Sequence, residues 1–211
     1  MTAPQANPFI GVWQRQYLQI DDGPQETQQQ VLWIQAERQF ADVRSWPYPQ
    51  PLTAKTYADL NERQQFDAAL LGFAGHFSWE MLGPGHGRCC WQHRITLLPG
   101  SFDDVSEFTW LAADTLLEVG RYTDAAGNLH TFEERWQRIE RSPVQVQQNS
   151  DRSLVLQCGD WANVICDRRT QPSHWSEYEA TCWQRKHDKW ELQFGTGDSL
   201  KAAVTLHPTS A

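Results

Sequence analysis

The sequence predicts an all-β protein, an antiparallel β-barrel of about ten to twelve short strands with one short helix. Three observations carry this reading. Short segments rich in Val, Ile, Phe, Tyr and Trp alternate polar and apolar residues, the period of a strand. Clusters of Gly, Pro, Asn and Asp separate these segments at regular intervals. Eleven Trp, nine Phe and five Tyr among 211 residues supply a core built largely on rings, whose burial is the largest stabilising resource in the chain.

The clearest segment runs from Leu116 to Ile139. Its middle, Asp124-Ala125-Ala126-Gly127-Asn128, has the residues a tight hairpin turn needs. On the return strand His130, Phe132, Glu134, Trp136 and Arg138 share one face, with Leu129, Thr131, Glu133, Arg135 and Gln137 on the other. Both aromatics lie on the first face, which is therefore the expected inner face, with a carboxylate, Glu134, between two rings.

The other elements follow in order. Residues 1–8 are expected to be a disordered tail, and residues 9–206 a single barrel domain, the alternative being two barrel-like halves dividing near residue 100. In the first strand, Phe9 to Ile20, Trp13, Arg15, Tyr17 and Gln19 are expected on one face, before a turn at Asp21-Asp22-Gly23-Pro24. Gln28 to Glu37 is apolar on both faces at Val31-Leu32-Trp33-Ile34, and Phe40 to Trp46 ends at Pro47, Pro49 and Pro51. Residues 52–71 break the pattern and predict the short helix, capped by Asp59 with Glu62 three positions on and stopped at Gly72. Strands are then expected at Phe73 to Glu80, Cys89 to Leu98 and Val105 to Ala112. Beyond the central hairpin, Ser142 to Arg152 reads as a Gln-rich connection. Leu154 to Cys158, Ala162 to Arg169, Glu177 to Lys186, Lys189 to Gly195 and a weak strand near Ala202 to Leu206 complete the chain.

Composition narrows the function. A net charge of −8 with no basic stripe argues against nucleic acid and anionic membrane surfaces as partners. The five cysteines, Cys89, Cys90, Cys158, Cys166 and Cys182, form no C-x-x-C pair and no even framework, so free thiols are expected. The N-terminal residues do not read as a signal peptide, and no apolar run reaches the ~20 residues of a membrane span, so a cytoplasmic protein is expected.

Trp-Gln-Arg occurs at 13–15, 136–138 and 183–185, with Trp-Gln-His at 91–93. Residues i and i+2 share a strand face, so each pair can set a cation or imidazole near an indole. These pairs either line one cavity or decorate barrel rims.

Two resemblances rest on particular residues. Gly11-Val12-Trp13 resembles the Gly-x-Trp signature of lipocalin-like (calycin) barrels. That resemblance implies a Trp packed across one barrel end beneath an Arg from a late strand, here Arg138 or Arg185. Phe132-Glu133-Glu134-Arg135-Trp136-Gln137 together with Gly159-Asp160-Trp161 resembles a fungal calycin-like family known as casein-kinase-interacting proteins, over roughly residues 85–195. This second resemblance implies antiparallel barrel architecture and no catalytic residues to carry over.

The chemistry-bearing residues favour binding over catalysis. There is no G-x-S-x-G elbow and no phosphate loop. Cys89 and Cys90 point to opposite faces, and His174, Glu177 and Glu179 read as solvated groups rather than metal ligands. No metal or cofactor is expected. The residues expected to point into an aromatic interior and hold a ligand are Trp13, Arg15, Tyr17, Trp91, His93, Trp110, Tyr122, Phe132, Glu134, Trp136 and Arg138. A buried Glu134 needs a partner, for which Tyr122 and His93 are the candidates. The preferred reading is an intracellular binding barrel for a small, mostly apolar or aromatic ligand. The alternatives are an isomerase, lyase or hydrolase using Glu134 or His93 as its acid–base group, or an interaction scaffold with a filled barrel.

Overall fold

Alternating segments joined by short turns pair with their neighbours in sequence, and this rule alone generates both sheets of the protein. The computed structural model describes residues 6–45, 59, 61, 64, 70–97, 103–124, 126–171 and 177–196. Eight antiparallel strands close into a barrel: β1 (Gly11–Ile20), β2 (Val31–Gln35), β3 (Gln39–Arg44), β4 (Gly72–Gly83), β5 (His86–Thr96), β6 (Asp103–Ala112), β7 (Thr115–Thr123) and β8 (Leu129–Glu140). Each pairs with the next, and β8 returns to β1. Five more strands form a second antiparallel sheet: β9 (Val144–Ser150), β10 (Ser153–Cys158), β11 (Trp161–Asp167), β12 (Tyr178–Lys186) and β13 (Lys189–Thr196). The protein is all-β, with an antiparallel barrel as the alternation requires. The strands change sheets between Glu140 and Val144.

The second sheet packs against the outside of the barrel over β2 to β5. That packing explains why β2 is buried along its whole length and β3 nearly so: one face looks into the barrel and the other lies under the second sheet. One apolar cluster spans both sheets, joining Val12, Leu32, Ile34, Ala41 and Val43 of the barrel to Leu154, Leu156, Ile165, Tyr178 and Ala180. Side-chain donors in the seam bond across it. The Asn163 amide donates to the carbonyls of Leu32 and Ala41 at 2.8 and 2.9 Å, and the Tyr178 hydroxyl donates to that of Gly72 at 2.8 Å.

The central hairpin forms as the sequence dictates. Asp124 caps its turn through Asn128 N–H at 2.8 Å, and Gly127 takes the left-handed φ of +88°. The face assignment of β8 holds, with Trp136 2% and Leu129 66% exposed. Opposite Phe132 stands Gly120, where a Cβ would collide with the Phe132 ring and the Ser106 hydroxyl. The missing side chain leaves room for that ring against β7.

Two expectations for the strands are corrected. The first strand does not keep Trp13, Arg15, Tyr17 and Gln19 on one face. A β-bulge between Arg15 and Tyr17 inserts one residue, so Arg15 stands opposite Trp136 but Tyr17 stands opposite the outward Arg135. Leu18 and Ile20 take the inner face instead, opposite Glu134 and Phe132. The Gln-rich segment after Ser142 is strand β9, exposed along most of its length at a sheet edge. It pairs with β10 through its backbone, and its apolar face is only Val144 and Val146, too short to stand out from the Gln-rich surroundings.

Of the expected tail, Asn7 is buried and donates to the carbonyl of Glu37 at 3.0 Å, so the chain is tied down before β1 begins. The expected helix over 52–71 falls mostly outside the described residues. Within it, Asn61 and Gln64 exchange reciprocal side-chain to backbone hydrogen bonds of 2.9 and 3.1 Å, the pattern of a capping box. The strand expected near 202–206 and the residue His174 also lie outside the described residues.

Candidate functional site

An eight-stranded barrel is just wide enough for its side chains to fill it or to hold one small ligand. One half of this barrel is filled by side chains, and the other encloses a cavity. At the end where β1 begins, Phe9 plugs the interior, its ring 4.9 Å from Phe108, 5.1 Å from Phe77 and 5.2 Å from Trp110. Trp13 stacks on Trp33 at 5.6 Å and donates its indole N–H to the Phe9 carbonyl at 2.7 Å. Arg138 lies over Trp13 with its guanidinium carbon 4.7 Å from the ring centroid. It also donates to the carbonyls of Pro8 and Ala113 and pairs with Asp114 at 2.8 Å, sealing that end. Gly11 is required beside it, since its φ is +133° and a Cβ would press into the Glu140 carbonyl.

The other half is open. A cavity of about 510 Å³ lies between the sheet ends. Its floor is Trp33, set edge-on to Trp91 and Trp136 at 5.6 and 5.7 Å. Phe73, Trp91, Phe132 and Trp136 wall it, and the exposed Ile20, Val105, Arg121 and Thr123 mark the mouth.

Charge is buried beneath these rings. Arg15 donates to Glu134 at 2.7 Å and to Glu26 at 3.2 Å, with both the Arg15 and Glu134 side chains almost fully buried. Arg44 pairs with Asp42 at 2.8 Å, reaches Glu134 at 4.0 Å and lies over Phe73 at 5.2 Å. Burial works against the Arg44 charge, but Asp42 and Glu134 hold its pKa above the ordinary value. Burial raises the Asp42 pKa. Glu118 stands directly across from Glu134 and accepts the Trp136 indole N–H at 3.0 Å. Burial, then Glu134 and Asp104 nearby, push its pKa well above the usual carboxylate range. Burial and Glu134 push Asp104 up to about 6. His93 stacks on Phe73 at 4.1 Å, and burial followed by the Arg44 charge lowers it to about 3, so its imidazole is neutral near pH 7.

Of the residues expected to share one interior, Trp91, His93, Tyr122, Phe132, Glu134 and Trp136 line the cavity. Arg15 stands behind Glu134 and is its partner, in place of Tyr122 or His93. Trp13, Trp110 and Arg138 belong to the plugged end. Tyr17 is on the outer face, where its hydroxyl donates to Glu133 at 2.6 Å. The Trp-Gln-Arg repeats therefore scatter. Trp136 and the Trp91–His93 pair reach the cavity, Trp13 and Arg138 seal the far end, and Trp183 lies in the second sheet with Arg185 over Trp190 at 5.7 Å.

Sequence reading missed Asp42, Arg44, Asp104 and Glu118. Their signal was present. Asp42 and Arg44 alternate with Phe40, Asp104 with Phe108, and Glu118 with Leu116, each sharing the inward parity of a buried apolar residue. All five cysteines are free, and burial raises the Cys89 pKa well above that of an ordinary thiol, which makes it a poor nucleophile. Among the described residues no group of His, Cys, Asp and Glu is arranged to hold a metal, and no helix is long and apolar enough to cross a membrane.

A family model named Protein HRI1 matches residues 11–210, nearly the whole chain. The chain belongs to the HRI1 family. The crystal structure of the uncharacterised Saccharomyces cerevisiae protein YLR301w superimposes on this HRI1-family chain with a TM-score of 0.67. The two are 12% identical, and the match covers 95% of this chain and 90% of the yeast one, so the likeness speaks for the fold. No curated protein matches the sequence.

Proposed function

We propose that this HRI1-family protein is an intracellular, lipocalin-like binding protein that holds a small, mostly apolar or aromatic ligand in the open half of its barrel. The observation that carries the reading is the aromatic-walled cavity of about 510 Å³, a volume within the range of small-molecule sites. The plug at the other end supports it, because Phe9, Trp13 and Arg138 stop the passage there. The lipocalin-like part of the reading is supported by Gly11-x-Trp13 under Arg138, the arrangement the sequence resemblance implies. The ligand-contacting groups are Trp91, Phe132 and Trp136 as walls, with Tyr122 and His93 as polar contacts and Glu134 held in place by Arg15.

Titration with N-phenyl-1-naphthylamine, a neutral apolar fluorophore, tests this. Its emission should rise saturably with one site per chain. Leu18→Trp, which places an indole in the cavity opposite Glu134, should weaken that binding at least tenfold while leaving the thermal melt in place. Unsaturable binding, or binding that Leu18→Trp leaves untouched, would count against a ligand site inside the barrel.

A further inference from the structure

The charges facing the cavity are unbalanced. Asp42, Asp103, Asp104, Glu118 and Glu134 line it, against Arg44 and the mouth residue Arg121. Two of the deep carboxylates have a guanidinium of their own, Asp42 with Arg44 at 2.8 Å and Glu134 with Arg15 at 2.7 Å. Among the described residues no cation lies within ion-pair distance of Asp104 or Glu118. Asp104 stands directly across from Trp91, and Glu118 across from Glu134, so both point inward beside the ring walls. A carboxylate buried without a countercharge is costly, and it is relieved by a proton or by a cation brought from outside. Indole and phenyl faces attract the same cation through their quadrupoles.

We propose that the ligand of this cavity is a cationic amine, an apolar or aromatic body held by Trp91, Phe132 and Trp136 with its ammonium group facing Asp104 and Glu118. The proposal rests on the binding reading above and names its ligand class. An anionic head group meets the excess of carboxylates and is repelled. A neutral head group gains the ring contacts but leaves both acids to their protons.

Proton linkage follows from this arrangement. The groups that face Asp104 are Asp42 and Arg44 from β3, His93 from β5, Asp103 beside it on β6, Glu118 from β7 and Glu134 from β8. Burial, then Glu134, raise the Asp104 pKa to about 6, and Arg44 offsets part of that rise. A cation favours the ionised acid, so its binding expels the proton. Affinity then rises with pH, by about tenfold between pH 5 and pH 7 for one such group, and flattens above.

Isothermal titration with three probes of one aromatic body separates the possibilities: 1-naphthylmethylamine, 1-naphthylmethanol and 1-naphthylacetate. At pH 7.5 the amine should bind at least tenfold tighter than the alcohol, and the carboxylate more weakly than either. Asp104→Asn should remove most of the amine's advantage over the alcohol, together with its pH dependence. Glu118→Gln, an independent isosteric variant, should also reduce the advantage. The pH series on the unaltered protein supplies the readout if either variant fails to fold. If the alcohol or the carboxylate binds as tightly as the amine, the cationic ligand class is wrong and the binding reading stands. If none of the three binds, both are overturned.

Discussion

Glu134 shows how one residue carries both the stability and the character of the site. Its carboxylate lies beneath aromatic rings and is sustained by Arg15 at 2.7 Å, with Arg44 at 4.0 Å. Removing one member of such a pair leaves a charge stranded in an apolar setting, which costs roughly 3–5 kcal/mol. Arg15→Leu should therefore lower the unfolding free energy by about 3 kcal/mol in denaturant titrations. Arg15→Leu combined with Glu134→Leu should recover most of that loss, because neither member of the buried pair is left without the other. A double variant that loses the sum of the two single losses would show that the pair is not coupled. The partnership could not be read from the sequence. Parity places Glu134 on the inner face, but Arg15 reaches it from a strand 119 positions away, a closure that only the β8–β1 pairing creates. Asp42 and Glu118 are hard to read from the sequence for a related reason. A single acid in an alternating segment looks the same whether its face meets water or a cavity, until the barrel closes.

At the scale of elements, a bulge, a hairpin and an edge strand set the difference between pattern and structure. Alternation alone made the β7–β8 hairpin legible down to its turn residues, because each face there keeps one environment along its length. The same rule misplaced Tyr17 and Gln19, since one inserted residue reverses parity and nothing in a Gln-rich strand marks where it is inserted. β9 gives little signal in the sequence because an exposed edge strand needs no more than a short apolar face, here Val144 and Val146. The hairpin also carries a clasp at the cavity mouth. His130 stacks on Tyr122 at 5.2 Å and joins the carboxylates of Asp21, in the turn after β1, and Asp124 at 2.8 and 3.2 Å. Asp21, then Asp124, raise the His130 pKa above its ordinary 6.5. The same contacts lower Asp21, and Asn128 with His130 lowers Asp124 to about 2. A group with a raised pKa stabilises fully below its unfolded value and loses that contribution as pH climbs through the folded one. The carboxylates behave oppositely and lose theirs only in acid. The clasp should thus be tightest between about pH 4 and 6 and loosen as His130 deprotonates. The melting temperature of the unaltered protein should fall slightly from pH 6 to pH 8.5 relative to His130→Gln, whose profile should be flatter there. Parallel profiles would remove His130 from the mouth's stability. The site is exposed, so the expected shift is small.

For the whole molecule, the second sheet covers one side of the barrel and leaves the mouth free. It buries the outer faces of β2 and β3, so the barrel wall beneath it is fixed by packing on both sides. Asn163 joins the two sheets through two carbonyls of adjacent barrel strands. Asn163→Ala removes both bonds in a fully buried position and should cost about 1–3 kcal/mol. Probe binding at the distant mouth should stay within twofold. A loss of binding in step with stability would mean that the cavity depends on that seam. Belonging to the HRI1 family and sharing a fold with the yeast protein fix the architecture, while the cavity's chemistry belongs to this chain's own residues. On the proposed function, the half-barrel beneath the mouth is ligand space and not a packed core. A crystal grown with 1-naphthylmethylamine measures it directly. Difference density for the naphthyl ring is expected among Trp91, Phe132 and Trp136, with the amine toward Asp104. Side chains collapsed into that volume, or probe density confined to the outer surface, would contradict it.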